Sequence, residues 1–566
     1  MDFAYTRRPA DPGARLLTRI LEIVPGMSSW SILLGTTALA FAEPLAAAAI
    51  IIAFNLYWLF RLFYMTLFLI LACLRLAAER DTDWMARVRE AARPDCDEPA
   101  PRGSPGLLGW ISRTAYRRQL RALRRSGEAP PSPDAVHHVV LLPVAKEPRE
   151  VIEPAIEALS RQRFPSRRIL LVLAVEERAP EAVRRDAEAL AGEYAPKFLE
   201  VLLSWHPDGV PGEARVKGAN ITHAARAAAA ALRRRGMPFE QVVVSCLDAD
   251  TIVGPDYFAC LTFHFLVCPD RLRASFQPIP VYHNNIWQVP AFARVLETGA
   301  SFFQLVEATD PERMVTFSSH SMSFQALVDV GYWPVEMISD DSAIFWKALI
   351  HYDGRYRVVP MYVTVSMDVA AGSTWRRTAR QVYRQKRRWA WGVENFPVVM
   401  RAFLGRSRIP LAERIRHGFK LFEGHVAWAT WAFLLTIIGW LPALFAGREF
   451  SSSVAYYSVP RIAGLIFNLA TLALAATVVL SVLSLPPPAG RRPFGRLGHV
   501  VEWLGVPVFA VLFSAVPALD AQTRLMFGRE LAFHVADKTG KPALAPQQAG
   551  ARGTGRGARH VARDRT

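Results

Sequence analysis

Two aspartates, Asp248 and Asp250, stand one residue apart directly after the apolar run 241–247. Carboxylates spaced this way at a strand end can hold Mg²⁺ or Mn²⁺ from one side, the remaining ligands being oxygens of a substrate diphosphate. A turn after a strand also uses Asp for local hydrogen bonds, so the pair alone permits both readings. A second acidic pair, Asp340 and Asp341, follows Ser339 and opens an apolar helix over 337–349. Acids there can serve as first-turn charges. Beside a bound sugar, one of them can instead take the proton from an attacking hydroxyl. Asp341 is expected in that catalytic role, with Asp340 contacting substrate beside it. The third group is Gln385-Lys386-Arg387-Arg388-Trp389. Gln385 and Arg388 fall on one helical face and can meet a phosphate, while Trp389 offers a flat surface to a sugar ring. The same basic, aromatic stretch over 376–391 also suits a helix lying on anionic lipid.

The elements that must position these groups alternate in type. Strands are expected over 138–143, 169–175, 200–204 and 241–247, with helices over 150–162, 180–191 and 219–235 between them. This is a βαβ series, and ligands of such sheets sit outside the carboxyl ends of the strands, where Asp248 and Asp250 fall. Residues 81–134 are rich in Arg, Pro and Ser and read as a linker with a short basic helix over 113–125.

Apolar residues make up 51% of the 566-residue chain, and the mean hydropathy of +0.15 argues against a purely soluble enzyme. Residues 28–76 are long enough for two spans; they far exceed a signal-peptide core and lack a small-residue cleavage site. Arg7, Arg8, Arg15 and Arg19 precede them and Arg75, Arg80, Arg87 and Arg89 follow, which places both flanks, and the long middle segment, in the cytoplasm. Three further apolar stretches are expected over 425–445, 462–485 and 500–519, the last with Pro507 and Pro517 that suit a broken or re-entrant segment. Three crossings would leave the basic tail outside, against its charge. The 67 Lys and Arg against 50 Asp and Glu give +17, which suits a phospholipid surface or an anionic substrate; because the basic residues gather beside membrane segments, nucleic acid is not expected as a partner. Cys73, Cys96, Cys246, Cys260 and Cys268 show no paired spacing and are expected as reduced, structural thiols. His137, His138, His283 and His320 lack ligand spacing, and Tyr282, Trp287, Phe302 and Phe303 suit either an acceptor groove or core packing.

Taken in order, Asp248-Ala249-Asp250, Ser339-Asp340-Asp341 and Gln385 to Trp389 resemble the Asp-x-Asp, Thr-Glu-Asp and Gln-x-x-Arg-Trp motifs of the membrane-bound family-2 glycosyltransferases, the group of cellulose, hyaluronan and chitin synthases. Lys217-Gly218-Ala219-Asn220 is similar to that family's Lys-Ala-Gly-Asn segment, and residues 533–540 look like a tail motif of some bacterial members. The resemblance covers about residues 137–400. It implies a Rossmann-like, GT-A-like α/β catalytic domain on the cytosolic side, inserted between N- and C-terminal transmembrane helices. It also implies that Asp248 and Asp250 bind the diphosphate and a Mg²⁺ or Mn²⁺ ion, that Lys217 approaches the phosphates, and that Asp341 is the base. Gln385, Arg388 and Trp389 would bind diphosphate and acceptor. Glu176 and Glu177 stand where the family's second strand ends in Asp-Asp-Gly, so they are the expected donor contacts at that strand, and the nucleotide base stays open.

The expected organisation is a cytosolic N-terminus over 1–27, a transmembrane hairpin over 28–76, a linker over 77–136, the catalytic domain over 137–372, interface helices over 373–423, transmembrane segments over 424–520 and a basic tail over 521–566. The resemblance implies an inverting enzyme of the cytoplasmic membrane that moves a hexose from a nucleotide diphosphate sugar, such as a UDP-sugar, to a growing polysaccharide and passes the polymer through its own helices. The lipid bilayer and periplasmic or regulatory subunits are the further partners of such synthases. A single-transfer enzyme acting on a lipid carrier or glycolipid, or a catalytically silent membrane scaffold, fits the same spans.

Overall fold

Runs of Val, Leu and Ile bounded by Pro and charged residues build an eight-stranded sheet. The strands are β1 (His137–Val144), β2 (Ile169–Glu176), β3 (Glu200–His206), β4 (Val242–Cys246), β5 (Ile252–Val253), β6 (Ala274–Val281), β7 (Ser321–Ser323) and β8 (Arg357–Ser366). They lie in the order β3-β2-β1-β4-β7-β6-β8-β5. The computed structural model describes residues 3–91, 106–405, 408–445, 454–487 and 495–531; Cys96, the tail motif at 533–540 and most of the basic tail lie outside the described residues.

The β3-β2-β1-β4 half is parallel, its crossovers made by the helices Arg149–Ser160, Glu181–Tyr194 and Lys217–Arg234. The other half is mixed: β7 runs antiparallel to both β4 and β6, and β8 parallel to β6. Alternate residues of each strand enter opposite cores, Val139 and Leu141 on one face and Val140 and Leu142 on the other. Both faces are therefore covered, which is why the strands read as continuous apolar runs. This is a GT-A-like α/β fold.

The stretch expected as a linker belongs to that core. Trp84–Ala91 and Gly106–Ser126 are helices, and Trp84, Val88, Ala91 and Tyr116 are buried against the Tyr257–Val267 helix. The spacing of 84, 88 and 91 is helical; the dense arginines around it concealed the pattern. Arg87 is itself buried, bonded to Glu79 at 2.9 Å and lying 4.8 Å over the Trp84 ring.

Four helices among the described residues are long and apolar enough to cross a membrane: Pro12–Ala42, Pro44–Glu79, Gly464–Ser484 and Gly495–Met526. The N-terminal pair begins well before residue 28, with Asp11 accepting the Ala14 N–H at 2.6 Å as the first cap. The stretch expected to cross over 425–445 does not form such a helix. Its helix, Leu411–Thr436, carries Glu413, Arg414, Arg416, Lys420 and Glu423 in its first half and gives way to a tighter turn at Ile438–Trp440, so too few apolar residues remain. The last helix is broken where its prolines suggested, by a 3₁₀ turn at Trp503–Gly505 and a π turn at Val511–Ala515.

Polar contacts tie the first helix to the last. Ser29 donates to Gln522 at 2.6 Å, Trp30 to Thr523 at 2.9 Å, and Arg19 reaches the carbonyls of Leu525 and Met526 at the closing turn. Gly26 lets the two backbones touch, since a Cβ there would stand 2.9 Å from the Gln522 carbonyl oxygen. Gly26→Leu is expected to separate these helices and to destabilise the detergent-solubilised protein by about 1–3 kcal/mol, seen as a lowered thermal midpoint; an unchanged midpoint would show that the contact is not tight.

Candidate active site

The carboxyl end of β4 and the start of the Lys217–Arg234 helix meet the loop that opens the Asp340–His351 helix. Gly218 permits the approach, because a Cβ there would stand 2.4 Å from the Pro334 carbonyl oxygen. Asn220 locks the same helix to the sheet by donating to the Ala174 carbonyl at 2.8 Å.

Lys217 is placed by this packing among three acids. Its ammonium lies 2.9 Å from Asp248 Oδ1, 2.9 Å from Asp341 Oδ1 and 3.5 Å from Asp340 Oδ2. Ser318 donates to the other Asp248 oxygen at 2.6 Å. Its neighbour Ser319 adopts a left-handed φ of 61° and contacts Thr251 at 2.8 Å, holding the turn after β4. Asp250 faces the end of β8, accepting the Asp368 N–H at 3.0 Å. Burial, reinforced by Asp341, pushes the Asp340 carboxyl up to about 7, while Lys217, against Asp248, and Arg388 oppose that shift. His320 is buried with Nδ1 3.8 Å from Asp341, and burial holds it below the ordinary imidazole range, so it is a neutral neighbour of the acid.

The third motif joins the same place. Arg388, on the Trp375–Ala390 helix, acts electrostatically on both Asp340 and Tyr282. Trp389 packs beside Tyr282 and edge-on to Phe317, with ring centroids 5.8 and 5.7 Å away. Lys386 turns inward: it is buried, bonded to the buried Glu297 at 2.9 Å, and its ammonium sits 3.8 Å from the Trp389 ring centre. Gln385 Oε1 is buried without a hydrogen-bond partner among the described residues. Arg387 points away, to Asp520 on the last helix at 2.8 Å.

Glu176 and Glu177 stand apart from this group. Glu176 pairs with Arg178 and lines a cleft whose other wall is the 206–216 loop, with His206, Asp208 and Arg215. The Glu177 side chain is exposed. That loop leads directly into Lys217.

Sequence reasoning missed Glu394. Its buried carboxylate accepts the Ser339 N–H and O–H, each at 2.8 Å, and the Trp391 indole N–H at 2.9 Å. Asn395 donates to Ser339 at 2.9 Å and accepts from Tyr5 at 2.7 Å. The loop carrying Asp340 and Asp341 is thus fastened to the segment just after Trp389 and to the N-terminus. No periodicity announces such a link; a Glu five residues beyond Trp389, among apolar neighbours, was its one signal. Among the described residues no group of three or more His, Cys, Asp or Glu is placed to hold a metal ion unaided. Asp248 and Asp250 offer the hard oxygen donors that suit Mg²⁺ or Mn²⁺ when phosphate oxygens complete the shell.

Comparison with known proteins gives the following. The family model described as Glycosyl transferase family group 2 matches residues 243–483, so the chain carries a family-2 glycosyltransferase domain. Among solved structures it is similar to the mannosyltransferase PcManGT from Pyrobaculum calidifontis in complex with GDP-Man and Mn²⁺, at 14% identity and a TM-score of 0.40, covering 79% of this chain and 100% of that one. It is also similar to S. aureus TarS 1–349 in complex with UDP, at 11% identity and a TM-score of 0.34, covering 71% of this chain and 95% of that one. A third is the glucosyl-3-phosphoglycerate synthase from Mycobacterium tuberculosis with UDP, at 11% identity and a TM-score of 0.29, covering 51% of this chain and 84% of that one. No curated protein matches the chain.

Asp340 makes a pH signature. The unfolded chain releases this proton in the ordinary carboxyl range and the folded chain only near 7, so in between the folded state holds the extra proton and stability falls as pH rises. Asp340→Asn is expected to remove that loss. Its thermal midpoint should exceed the unaltered protein's by more at about pH 8 than at about pH 4; an equal difference at both would mean the carboxyl titrates normally.

Proposed function

We propose that the protein is an inverting membrane hexosyltransferase that moves a sugar from a nucleotide diphosphate donor to the growing end of a polysaccharide, with the catalytic domain on the cytosolic side. The observation that carries this reading is the convergence of Asp248, Asp340 and Asp341 on the Lys217 ammonium, within the field of Arg388, the residue before Trp389.

Transfer needs an acceptor hydroxyl, the anomeric carbon and the leaving diphosphate in line. Asp248 and Asp250 would hold a Mg²⁺ or Mn²⁺ ion, which when bound neutralises charge on the leaving diphosphate. Lys217 and Arg388 bring two further cations to the same end of the site, where the diphosphate's negative charge is compensated. Asp341 is the base that takes the acceptor proton, a contribution of roughly 10² to 10⁴ in rate. Asp340 beside it is the buried, proton-holding member of the pair, so the two adjacent acids take unlike parts. Trp389 provides the surface along which the acceptor sugar lies. The cleft of Glu176, Arg178 and His206 lies at the neighbouring strand ends and suits the nucleoside half of a UDP- or GDP-linked donor.

Processive synthesis is favoured by the way the third motif's helix meets the last candidate span. Tyr383 and Arg387 both bond Asp520, and Phe292 stacks on Phe513 at 4.7 Å, so an aromatic surface continues from Trp389 and Tyr282 toward the broken helix. Two C-terminal crossings, four in all, would return the basic tail to the side of the catalytic domain, without the conflict that three C-terminal crossings created.

The test is transfer by the purified full chain supplied with Mn²⁺ and radiolabelled nucleotide sugars, the product sized on a gel. A long labelled polymer is expected, and Asp341→Asn should lower its formation by at least about 10²-fold with nucleotide binding near normal. Short glycolipid products would replace polymer synthesis by single transfer, and lost nucleotide binding with residual transfer would remove Asp341 from the base role.

A further inference from the structure

Tyr282 follows the last residue of β6 and is 2% exposed. Its ring lies against Trp389, yet its hydroxyl has no hydrogen-bond partner among the described residues. A tyrosine used only for packing in such a place leaves a polar group desolvated for nothing; phenylalanine would pack as well without that penalty.

The surroundings say what the hydroxyl faces. Two residues later Asn284 donates to the Asp250 carbonyl at 3.1 Å and accepts from Ser366 at 2.6 Å, so the loop carrying Tyr282 is fastened to the turn of the first acidic motif. The phenol lies in the fields of Glu297, Asp248 and Asp250, which after burial hold its proton on, and of Arg388, which opposes them. It therefore stands as a donor between the acidic cluster and the Trp389 ring. Gln385 Oε1, one helical turn before Trp389, is also buried without a hydrogen-bond partner among the described residues. The ring itself is fixed from behind by Lys386 and Glu297. One flat aromatic surface with a hydroxyl donor beside it matches a pyranose, whose C–H face is apolar and whose rim carries hydroxyls.

We propose that Tyr282 is an acceptor-binding residue, its phenol donating a hydrogen bond to a hydroxyl of the sugar that lies along Trp389. The inference rests on the transferase reading above and adds a residue that none of the three motifs contains. Holding the acceptor in this way decides whether the anomeric carbon is met by a sugar hydroxyl or by water, since either can supply the attacking oxygen and lose its proton to the base.

The test uses membranes containing the full chain with their native acceptor, Mn²⁺, and radiolabelled UDP-glucose, UDP-N-acetylglucosamine and GDP-mannose in turn. Label is divided between polymer or glycolipid and free hexose released by hydrolysis. For Tyr282→Phe the ratio of transferred to hydrolysed sugar should fall roughly three- to ten-fold, the loss of one neutral hydrogen bond, with donor KM unchanged and the thermal midpoint no lower. An unchanged ratio overturns the proposal. So does a parallel rise in donor KM with a lowered midpoint, which would mark Tyr282 as packing alone. Absence of donor turnover by the unaltered protein removes the transferase reading and this inference together, whereas turnover with an unmoved ratio removes this inference only.

Discussion

One ammonium group shared by three carboxylates is the interaction on which the rest of this architecture depends. Asp248, Asp340 and Asp341 come from two distant parts of the chain, and bringing them together half-buried would be costly without Lys217 between them. The position of Lys217 in turn demands a helix that starts close to a neighbouring backbone, and only the missing side chain of Gly218 allows it. The parallel half of the sheet carries that helix, and the amide of Asn220 bonded to β2 keeps it from sliding. Fold and site are thus one problem: the strand ends supply acids, and the crossover returning to β4 supplies the cation that lets them coexist.

From this centre, order is passed toward the apolar helices by buried polar links. Glu394 ties the acidic loop to the segment after Trp389, Asn395 ties it to Tyr5, and Arg401 reaches the carbonyls of Ala4 and Thr6 at 3.0 and 2.9 Å. The first candidate span begins only a few residues later, at Pro12. Burial pushes the Glu394 carboxyl up, and Arg7, Ser339 and Trp391 pull it down, the balance expected of a charge kept for what it holds in place. The Trp375–Ala390 helix shows the same division of labour by face: Thr378, Val382, Lys386 and Ala390 point inward at helical spacing, while Arg376, Arg380 and Arg384 remain exposed.

Much of this was legible in the residues. The parallel strands and their crossover helices follow from short apolar runs punctuated by helical periods, and Asp248, Asp341 and Trp389 stood out because acids and aromatics at strand and helix ends are unusual enough to notice. The helix of 84–91 was hidden, and that of 106–126 was read only as a short basic helix over 113–125, because arginines interrupt the apolar positions that direct their packing. Glu297 and Glu394 were hidden, and Tyr282 was left open between an acceptor groove and core packing, for another reason. Their meaning lies in partners 89, 55 and 107 positions away, and one-dimensional spacing carries no trace of those contacts. The stretch 425–445 read as a candidate span because hydropathy alone did not register five charged residues crowding the first half of Leu411–Thr436.

The helix Pro44–Glu79, about 54 Å long at the usual rise, is longer than any bilayer requires. Its far end does not stop at a membrane surface: Leu69 and Ala72 lie in the same core as β1 and the Lys217–Arg234 helix, and Glu79 is bonded to Arg87 inside the second helical layer. The catalytic unit accordingly has no natural seam below residue 137. Trimming the chain there to obtain a water-soluble enzyme would uncover an oily socket on the sheet's own core and strip Trp84, Val88 and Tyr116 from the Tyr257–Val267 helix. The same rod runs unbroken from the N-terminal apolar segment into the sheet's core, so the placement of the site is fixed relative to that segment by one continuous helix.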